Sequence, residues 1–337
     1  MTVPRPESWI RTTASGLYVE PGGFYIDPTR AVDRAVITHG HADHARPGHA
    51  QVLATVETIA IMRARLGERA GAAMQALRYG ESLRIGEVDI RLVPAGHVLG
   101  SAQAVLEWRG CRVVASGDYK RRHDPTCAPF EPVRCDLFIT EATFGLPVFR
   151  HPPDAHEIDK LLQSCGRYPD RVHLVGVYSL GKCQRVLSLL RARGYHEPVY
   201  LHGAQLGMTE LYQRFGVEFG EIRHALGVSR NALEGRILLA PPAAAGDAWA
   251  GKLPDPVIAL ASGWMRIKQR AKQSGVELPL VISDHADWDE LCQTIREVEA
   301  PEIWVTHGNE EALIRQAGLM GLRARALSLV GFEEDET

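Results

Sequence analysis

The segment HGHADH at positions 39–44 follows an apolar-rich stretch at positions 31–38 and constrains the chain more than any other feature. Side chains alternate along an extended backbone, so His39 and His41 point one way, whereas Asp43 and His44 can address a second position. Imidazole nitrogens and carboxylate oxygens bind zinc or manganese, and two divergent ligand sets suit two ions rather than one. A histidine-rich surface loop is the weaker alternative, because such side chains are hard to bury beside an apolar strand.

Further side chains that can bind a metal stand at the ends of five strand-like apolar segments. They are Asp27, His97, Asp118, Glu141 and His307. Each of them alone is more typical of a turn or a helix cap. Together with the histidine-rich segment, they predict a sheet whose strand ends converge on one edge. Glycines beside several of them let the backbone turn tightly there.

The composition bounds the protein class. A chain of 337 residues can form one large domain or two ordinary ones. The net charge of −3 gives no sign of a nucleic-acid partner, although a nuclease needs positive charge only in its groove. Six cysteines without a C-x-x-C pair indicate reduced thiols. No segment is typical of a signal peptide or a membrane span, which predicts a cytoplasmic protein with no membrane partner.

The pattern of apolar segments changes near residue 150. Short strand-like segments separated by turn residues come first, and an alternation of strand-like and helix-like segments follows. Such an alternation is typical of a parallel sheet flanked by helices. The stretch PPAAAG at positions 241–246 predicts an exposed connection, since paired prolines continue neither a strand nor a helix. The sequence thus predicts the α/β class.

These motifs, in this order, resemble a known family. HGHADHA, the later His97 and Asp118, and Asp27 upstream are similar to the motifs of the metallo-β-lactamase fold. Glu141 in ITEATF, His285 in SDHAD and the histidine in THGN resemble motifs A, B and C of the β-CASP nuclease branch. Stretches such as FYIDP, PAGHVLGSAQ and SGDYKR are similar to bacterial ligase-associated DNA exonucleases.

The resemblance implies an architecture and its limits. We expect an αββα metallo-β-lactamase sandwich formed by residues 1–146 and 283–337. An α/β β-CASP cap is expected at residues 147–282, inserted into the sandwich and covering its metal edge as a substrate groove.

The resemblance also implies roles for individual residues. One divalent ion, zinc or manganese, is expected on His39, His41 and His97. The other is expected on Asp43, His44 and His307, and Asp118 is expected to bridge both ions. Asp27 would hydrogen-bond a ligand imidazole and fix its tautomer. His285, oriented by Glu141, is the candidate general acid, while the alternative makes His285 a third ligand and His307 the acid.

A further set of residues is predicted to contact nucleic acid. Lys120 and Arg121 follow Asp118 and could line a groove by their charge. Two junctions between strand and helix offer free N–H groups to a phosphate, as helix N-termini do. They contain Ser179, Gly181, Lys182, Ser262 and Arg266. Ordinary helix caps have the same appearance, so both interpretations stay open.

The function that this resemblance implies is a DNA exonuclease in repair, directed to 5′ ends and preferring single strands. The expected partners are DNA and, functionally, an ATP-dependent DNA ligase and a helicase. An RNA-processing ribonuclease of the same branch is the alternative, because RNA-acting members tend to keep the motif C histidine, here His307. A small-molecule hydrolase is a second alternative, but such enzymes lack the cap and the pair Glu141 and His285.

Overall fold

The computed structural model describes residues 3–246, 249–253, 255–273 and 275–327. The end of the predicted second sandwich segment, residues 328–337, therefore lies outside the described residues. The chain divides into two compact units, one formed by the described residues up to Phe149 and from His285 onward, the other by Arg150–Asp284. The domain limits predicted from the sequence fall at 146/147 and 282/283.

Most of the described backbone is in short strands and helices. The strands are β1 (Ile10–Thr13), β2 (Gly16–Val19), β3 (Phe24–Ile26), β4 (Arg34–Val36), β5 (Gln51–Ala54), β6 (Ala73–Ala76), β7 (Ser82–Ile85), β8 (Val88–Pro94), β9 (Ala102–Trp108), β10 (Cys111–Ala115), β11 (Leu137–Ala142), β12 (His173–Gly176), β13 (Val199–Leu201), β14 (Ile222–His224), β15 (Ile237–Ala240), β16 (Val257–Ala261), β17 (Leu278–Leu280), β18 (Glu302–Gly308) and β19 (Arg323–Ala326). The α-helices are α1 (Val56–Leu66), α2 (Asp154–Arg167), α3 (Lys182–Ala192), α4 (Gly203–Arg214), α5 (Arg230–Leu233), α6 (Lys268–Gln273), α7 (Trp288–Glu297) and α8 (Glu310–Leu319). Short 3₁₀ helices are at Pro6–Ser8, Gly67–Ala70, Pro242–Gly246, Ala250–Lys252 and Gly263–Arg266.

The first unit contains two mixed sheets. One has the order β1-β2-β3-β4-β5-β6, in which β3 to β6 are parallel. The other has the order β19-β18-β11-β10-β9-β8-β7, with the four strands from β19 to β10 parallel and the remaining neighbours antiparallel. The late strand β18 pairs directly with β11, so distant parts of the sequence share this sheet.

Side-chain alternation builds the layers of the first unit. On β10, Val113 belongs to the core that both sheets share, whereas its neighbour Val114 packs with α7 and α8. On β4, Val36 joins the shared core, and its neighbour Ala35 packs with α1. Because successive strand residues face opposite sides, each sheet is covered by the other sheet on one face and by helices on the other. The predicted αββα sandwich is confirmed.

Local sequence determines where the flanking helices begin. Thr55 caps α1, since its side chain accepts the N–H of Thr58. Asp287 and Glu290 form a reciprocal capping box at the start of α7, which the SDHADWDEL segment encodes. Helix α7 therefore begins three residues after His285, and its start is fixed by its own side chains.

The second unit is one sheet of six parallel strands in the order β14-β13-β15-β12-β16-β17, accompanied by α2 to α6. Strands β12, β13 and β15 are buried at each position, as expected of parallel strands covered on both faces. The connection predicted at positions 241–246 is different from the expectation. It contains a 3₁₀ helix over Pro242–Gly246 with Ala244 buried in the core. In the described ranges, no helix combines the length and the apolar character needed to cross a membrane.

Candidate metal centre

Side chains that can bind a metal converge at one place in the first unit. Among the described residues, four groups occur in which the ligand atoms all lie within 4.8 Å of one another. They are His39, His41, His97 and Asp118; His39, Asp43 and His44; His44, Asp118 and His307; and Asp118, Glu141 and His285. All seven predicted ligands belong to these groups, and Asp118 is shared by three of them.

The strand order explains why residues so distant in sequence meet. Asp27 follows β3 directly, and the histidine-rich segment follows its parallel neighbour β4. In the second sheet, Asp118 comes after β10, while Glu141 and His307 lie near the ends of β11 and β18, which are parallel to it. Carboxyl ends of parallel strands meet at one edge of a sheet. Each apolar strand therefore delivers a polar side chain to the same edge.

Two residues of this edge have left-handed backbone conformations without being glycine. Asp27 has φ of 42° and His307 has φ of 57°. Non-glycine residues seldom adopt positive φ, and such residues cluster at functional sites. The sequence predicts tight turns only at the neighbouring glycines and does not reveal this feature.

Asp118 lies among imidazoles from both predicted ligand sets. Its Oδ2 is 3.4 Å from His39 Nε2, 3.4 Å from His44 Nε2 and 3.8 Å from His97 Nε2. Burial would raise the pKa of Asp118, but His44 and His39 hold it well below its usual value, so the group is an anion. These separations exceed those of charge-assisted hydrogen bonds, which leaves space for a cation between the atoms.

The pKa values of the surrounding imidazoles are shifted in two different directions. Burial and the neighbouring histidines His285, His39 and His41 hold the pKa of His97 well below its usual value. Burial and the nearby His44 lower the pKa of His307 to about 4. Both groups are therefore neutral at pH 7, as metal ligands must be.

The pKa of His44 is shifted in the opposite direction. Burial would lower its pKa, yet the carboxylates of Asp118, Asp43 and Asp27 raise it well above the usual value. Three carboxylates around one buried imidazole create a field that attracts positive charge. The same field would favour a bound cation.

The donor set fits a divalent metal. His39 is fully buried, and within the described residues its Nε2 makes no hydrogen bond of standard geometry. A buried polar nitrogen without such a bond is costly, and a metal ion at that position would satisfy it. His41 Nδ1 and His97 Nε2 are only 2.9 Å apart, so two ring nitrogens point at nearly the same position.

Asp27 organises the first part of this site. It accepts hydrogen bonds from the backbone N–H of Thr38 at 2.7 Å, from Thr38 Oγ1 at 2.6 Å and from His44 Nδ1 at 2.8 Å. Because Nδ1 of His44 is engaged, Nε2 is the nitrogen directed at Asp118 and Asp43. Sequence reasoning did not single out Thr38, which also contacts His39 Nδ1 at 3.1 Å. Its place between the apolar strand and the first histidine was the available signal.

Glu141 holds His285 through one ring nitrogen. Glu141 Oε2 is 3.0 Å from His285 Nδ1, and Glu141 Oε1 accepts the N–H of Tyr119 at 2.7 Å. Both carboxylate oxygens are thus occupied, although the three groups Asp118, Glu141 and His285 are close enough to bind an ion. The side chain of His285 is partly exposed. This arrangement favours the acid role over the ligand role.

The two basic residues after Asp118 differ from the expectation of a groove. Lys120 is buried and paired with Glu290, and Arg121 is paired with Glu297 at 2.6 Å. Both acidic partners belong to α7, about 170 residues away in sequence. The basic segment of the sequence therefore neutralises a helix and does not present free charge to phosphate.

The predicted contact residues of the second unit are mostly used by the fold. Lys182 is buried and paired with Asp284. The N–H of Gly181 donates to Gln184 Oε1, and the carbonyl of Ser179 accepts from Gln184 Nε2. Ser262 caps the 3₁₀ helix Gly263–Arg266 through the N–H of Trp264, and Arg266 is exposed. Their roles in nucleic-acid binding stay predictions.

Two of the curated relatives match nearly the whole chain. A protein of Opitutus terrae named "Probable DNA ligase" is 28% identical over 323 residues, which cover 95% of this chain and 31% of that protein. "Ribonuclease TTHA0252" of Thermus thermophilus is 26% identical over 395 residues, covering 93% of this chain and 89% of that protein. The chain thus spans less than a third of the length of the Opitutus relative.

The fold has a counterpart among solved structures. A protein of unknown function from Enterococcus faecalis V583 has a TM-score of 0.58 at 13% identity, over 88% of this chain and 80% of that chain. At this identity the similarity concerns the fold alone. No family model matches the chain.

Proposed function

We propose that this chain is a member of the β-CASP branch of the metallo-β-lactamase fold and, from that premise, a two-metal phosphodiesterase acting as a DNA exonuclease in repair. The observation that carries the proposal is an oriented histidine, His285, beside a cluster of metal-binding side chains that share Asp118. We favour a nuclease over a small-molecule hydrolase because of the Glu141–His285 pair and the separate unit at residues 150–284.

The metal ligands are assigned as two sets. His39, His41 and His97 would hold one ion, Asp43, His44 and His307 would hold the other, and Asp118 would bind both. When bound, zinc or manganese ions polarise a phosphodiester and lower the pKa of a water molecule. The remaining chemistry falls to the side chains around them.

His285 is the proposed proton donor. Cleavage of a phosphodiester leaves negative charge on the departing oxygen, which needs a proton or a cation. Because Glu141 holds Nδ1 of His285, Nε2 can deliver that proton. Asp27 meanwhile keeps Nδ1 of His44 occupied, so that Nε2 of His44 is available as a ligand.

Replacing His285 tests this role. General acids contribute about 10²–10⁴-fold, so we expect His285→Ala to lower kcat on DNA by that factor and to retain both metal equivalents. The matched control is His196→Ala, at an exposed histidine, which should keep wild-type turnover. Loss of one metal equivalent by elemental analysis would instead make His285 a ligand and transfer the acid role to His307.

Two comparisons favour different nucleic acids. The relative named as a DNA ligase contains a segment similar to nearly all of this chain, which supports work at DNA ends that are later joined. The relative named as a ribonuclease matches over most of its own length, and the chain keeps His307 at motif C. A ribonuclease is therefore the second candidate.

Digestion of end-labelled DNA and RNA of one sequence, each with Mn²⁺ and with Zn²⁺, separates the two candidates. The DNA proposal predicts at least tenfold faster loss of label from single-stranded DNA, with shortening from the 5′ end. Faster degradation of the RNA would contradict the DNA proposal and support the ribonuclease. Absence of hydrolysis of either polymer with both metals would refute the nuclease.

The polarity of degradation motivates a second proposal. Ser179, Gly181, Ser262 and Arg266 are the candidates for binding the end phosphate, as helix N-termini bind anions. Lys182 is a weaker candidate because its charge is already paired with Asp284. Substrates with a 5′-phosphate should be degraded faster than substrates with a 5′-hydroxyl. Equal rates on the two substrates would contradict the proposed binding site for the end phosphate.

The partners follow from the same comparison. Similarity to part of a protein named as a DNA ligase supports a functional association with ATP-dependent ligation. The association with a helicase and the cytoplasmic location stay predictions.

A further inference from the structure

Lys120 has a buried ammonium group that joins two segments of the candidate site. The residue is 1% exposed, and Nζ donates to the carbonyl oxygen of His285 at 2.9 Å and to Glu290 Oε2 at 2.9 Å. Lysine is almost never fully buried without a partner, and an apolar side chain of similar size would avoid the cost of desolvation. The bond to the main chain of His285 therefore points to a function beyond filling space.

The segment that contains Lys120 is fixed to the His285 segment at further points. The N–H of Ala286 donates to the carbonyl oxygen of Tyr119 at 2.7 Å. The N–H of Tyr119 donates to Glu141, whose other oxygen contacts His285 Nδ1. Glu141 thus holds the imidazole of His285, and Lys120 holds the backbone of His285. Glu141 is itself bonded to Tyr119, so both connections involve the segment that begins at Asp118.

We propose that Lys120 is a positioning residue, which fixes His285 relative to Asp118 so that Nε2 can protonate the departing oxygen. This inference rests on the proposed phosphodiesterase function. In that reaction the bond from phosphorus to the departing oxygen breaks, its electron pair stays on that oxygen, and His285 supplies the proton. A water molecule releases one proton to the solvent, and its oxygen forms the new bond to phosphorus. Misplacement of an acid by about 1 Å can cost about 10²-fold in rate.

The leaving group separates positioning from a general structural role. A sugar oxygen needs a proton when it departs, whereas 4-nitrophenolate delocalises its charge into the ring and departs without one. A variant with a displaced His285 should therefore hydrolyse DNA slowly and bis(4-nitrophenyl) phosphate normally. A variant with a distorted metal centre should be slow on both.

The test variant is Lys120→Met with Glu290→Gln. Removing Lys120 alone would leave the carboxylate of Glu290 buried without its partner, which can prevent folding. The N–H of Asp287 bonds to Glu290 Oε2 and the N–H of Arg122 bonds to Oε1. Glutamine keeps one acceptor oxygen, which at the Oε2 position preserves the bond from Asp287, while the bond from Arg122 is lost. Glu290→Gln alone keeps the Lys120 bond to His285 and is the matched control. It leaves the buried ammonium group of Lys120 beside an amide oxygen in place of a carboxylate, so its folding is checked by circular dichroism as well. Lys252→Met controls for loss of a lysine charge at an exposed site.

We expect the double variant to lose about 10–100-fold in kcat on DNA, with KM changed less than threefold and both metal equivalents retained. Its rate on bis(4-nitrophenyl) phosphate should stay within threefold of wild type, and both controls should stay within threefold on both substrates. Should the double variant fail to fold by circular dichroism, Lys120→Arg, which keeps a charged donor but moves it, is measured instead. The same selective loss on DNA is expected, at smaller amplitude.

Two results would overturn the inference. They are a DNA rate within threefold of wild type, and equal losses on the two substrates. His285→Ala is measured in parallel, and it should show the same selectivity at larger amplitude. A wild-type protein that leaves DNA intact, or a His285→Ala variant with equal losses on both substrates, would overturn the proposed function itself.

Discussion

Asp27→Asn should selectively lower the affinity of the site for one of the two proposed metal ions. The substitution removes one charge and one acceptor atom but suits the local backbone. Asp27 has φ of 42°, and asparagine tolerates this left-handed region, whereas alanine would add strain. The remaining carbonyl oxygen of asparagine can still accept the N–H of Thr38, which bonds to Oδ1 in the native protein. The variant therefore changes the Oδ2 position with little effect on the turn.

The magnitude follows from the two donors that meet Oδ2. Thr38 Oγ1 lies at 2.6 Å and His44 Nδ1 at 2.8 Å, and the NH₂ group of asparagine would place a donor against both. The hydroxyl of Thr38 can rotate, but His44 must lose the bond or move its proton to Nε2, the ligand nitrogen. Hydrogen bonds to charged groups contribute about 1.5–3 kcal/mol. Loss of such an outer partner lowers metal affinity about 10–100-fold, or about 1.4–2.7 kcal/mol.

We expect this loss only at the ion assigned to Asp43, His44 and His307, and less than threefold at the other. Titration of the metal-free protein against a chromophoric chelator, with elemental analysis, resolves the two affinities. Asp89→Asn, at an exposed carboxylate, is the matched control. Equal weakening of both ions, or unchanged binding of both, would refute the idea that Asp27 orients His44.

Two further substitutions, each compared with a control variant, test how the units are built. A Cβ at Gly308 would press on the carbonyl oxygen of Ala142, and its φ is 93°, so Gly308→Ala should cost about 1–3 kcal/mol of stability and displace His307 with loss of one metal equivalent. Gly166→Ala, at an open helical position, should instead raise the melting temperature. In the second unit, Lys182→Met should lower the free energy of unfolding by about 3–5 kcal/mol because Asp284 stays buried, while Arg193→Met, in an exposed pair with Asp159, should cost less than about 1 kcal/mol. Urea unfolding measures the loss of unfolding free energy in Lys182→Met and in Arg193→Met. Equal losses in the two variants would contradict the argument from burial.

The positions of the candidate metal ligands could be predicted because each lies at or shortly after the end of an apolar strand. A polar group three residues after the end of such a strand, as at His97 or Asp118, lies at a sheet edge. The layers could be predicted from the same alternation, which sends Val113 and Val114 to opposite faces. Patterns of this kind depend only on residues that are close in sequence, so they can be recognised without knowledge of distant contacts.

Long-range pairing could not be predicted in this way. Lys120 looks like one residue of a basic segment, and only the position of α7 shows that Glu290 neutralises it. The positive φ of Asp27 has no local signal either, because aspartate is common in ordinary turns. The 3₁₀ helix at Pro242–Gly246 depends on burial of Ala244, which its proline-rich composition did not suggest.

The pairing of β18 with β11 has a consequence for the order of events during synthesis. His307 lies on β18, and it is made about 190 residues after Asp118, which at about 5–20 residues per second means about 10–40 s. A nascent chain thus holds Asp118 and the early histidines long before His285 and His307 leave the ribosome. During that interval the chain has part of the proposed metal-binding set but not the proposed proton donor, His285. On the proposed function, the complete site therefore exists only after β18 has paired with β11.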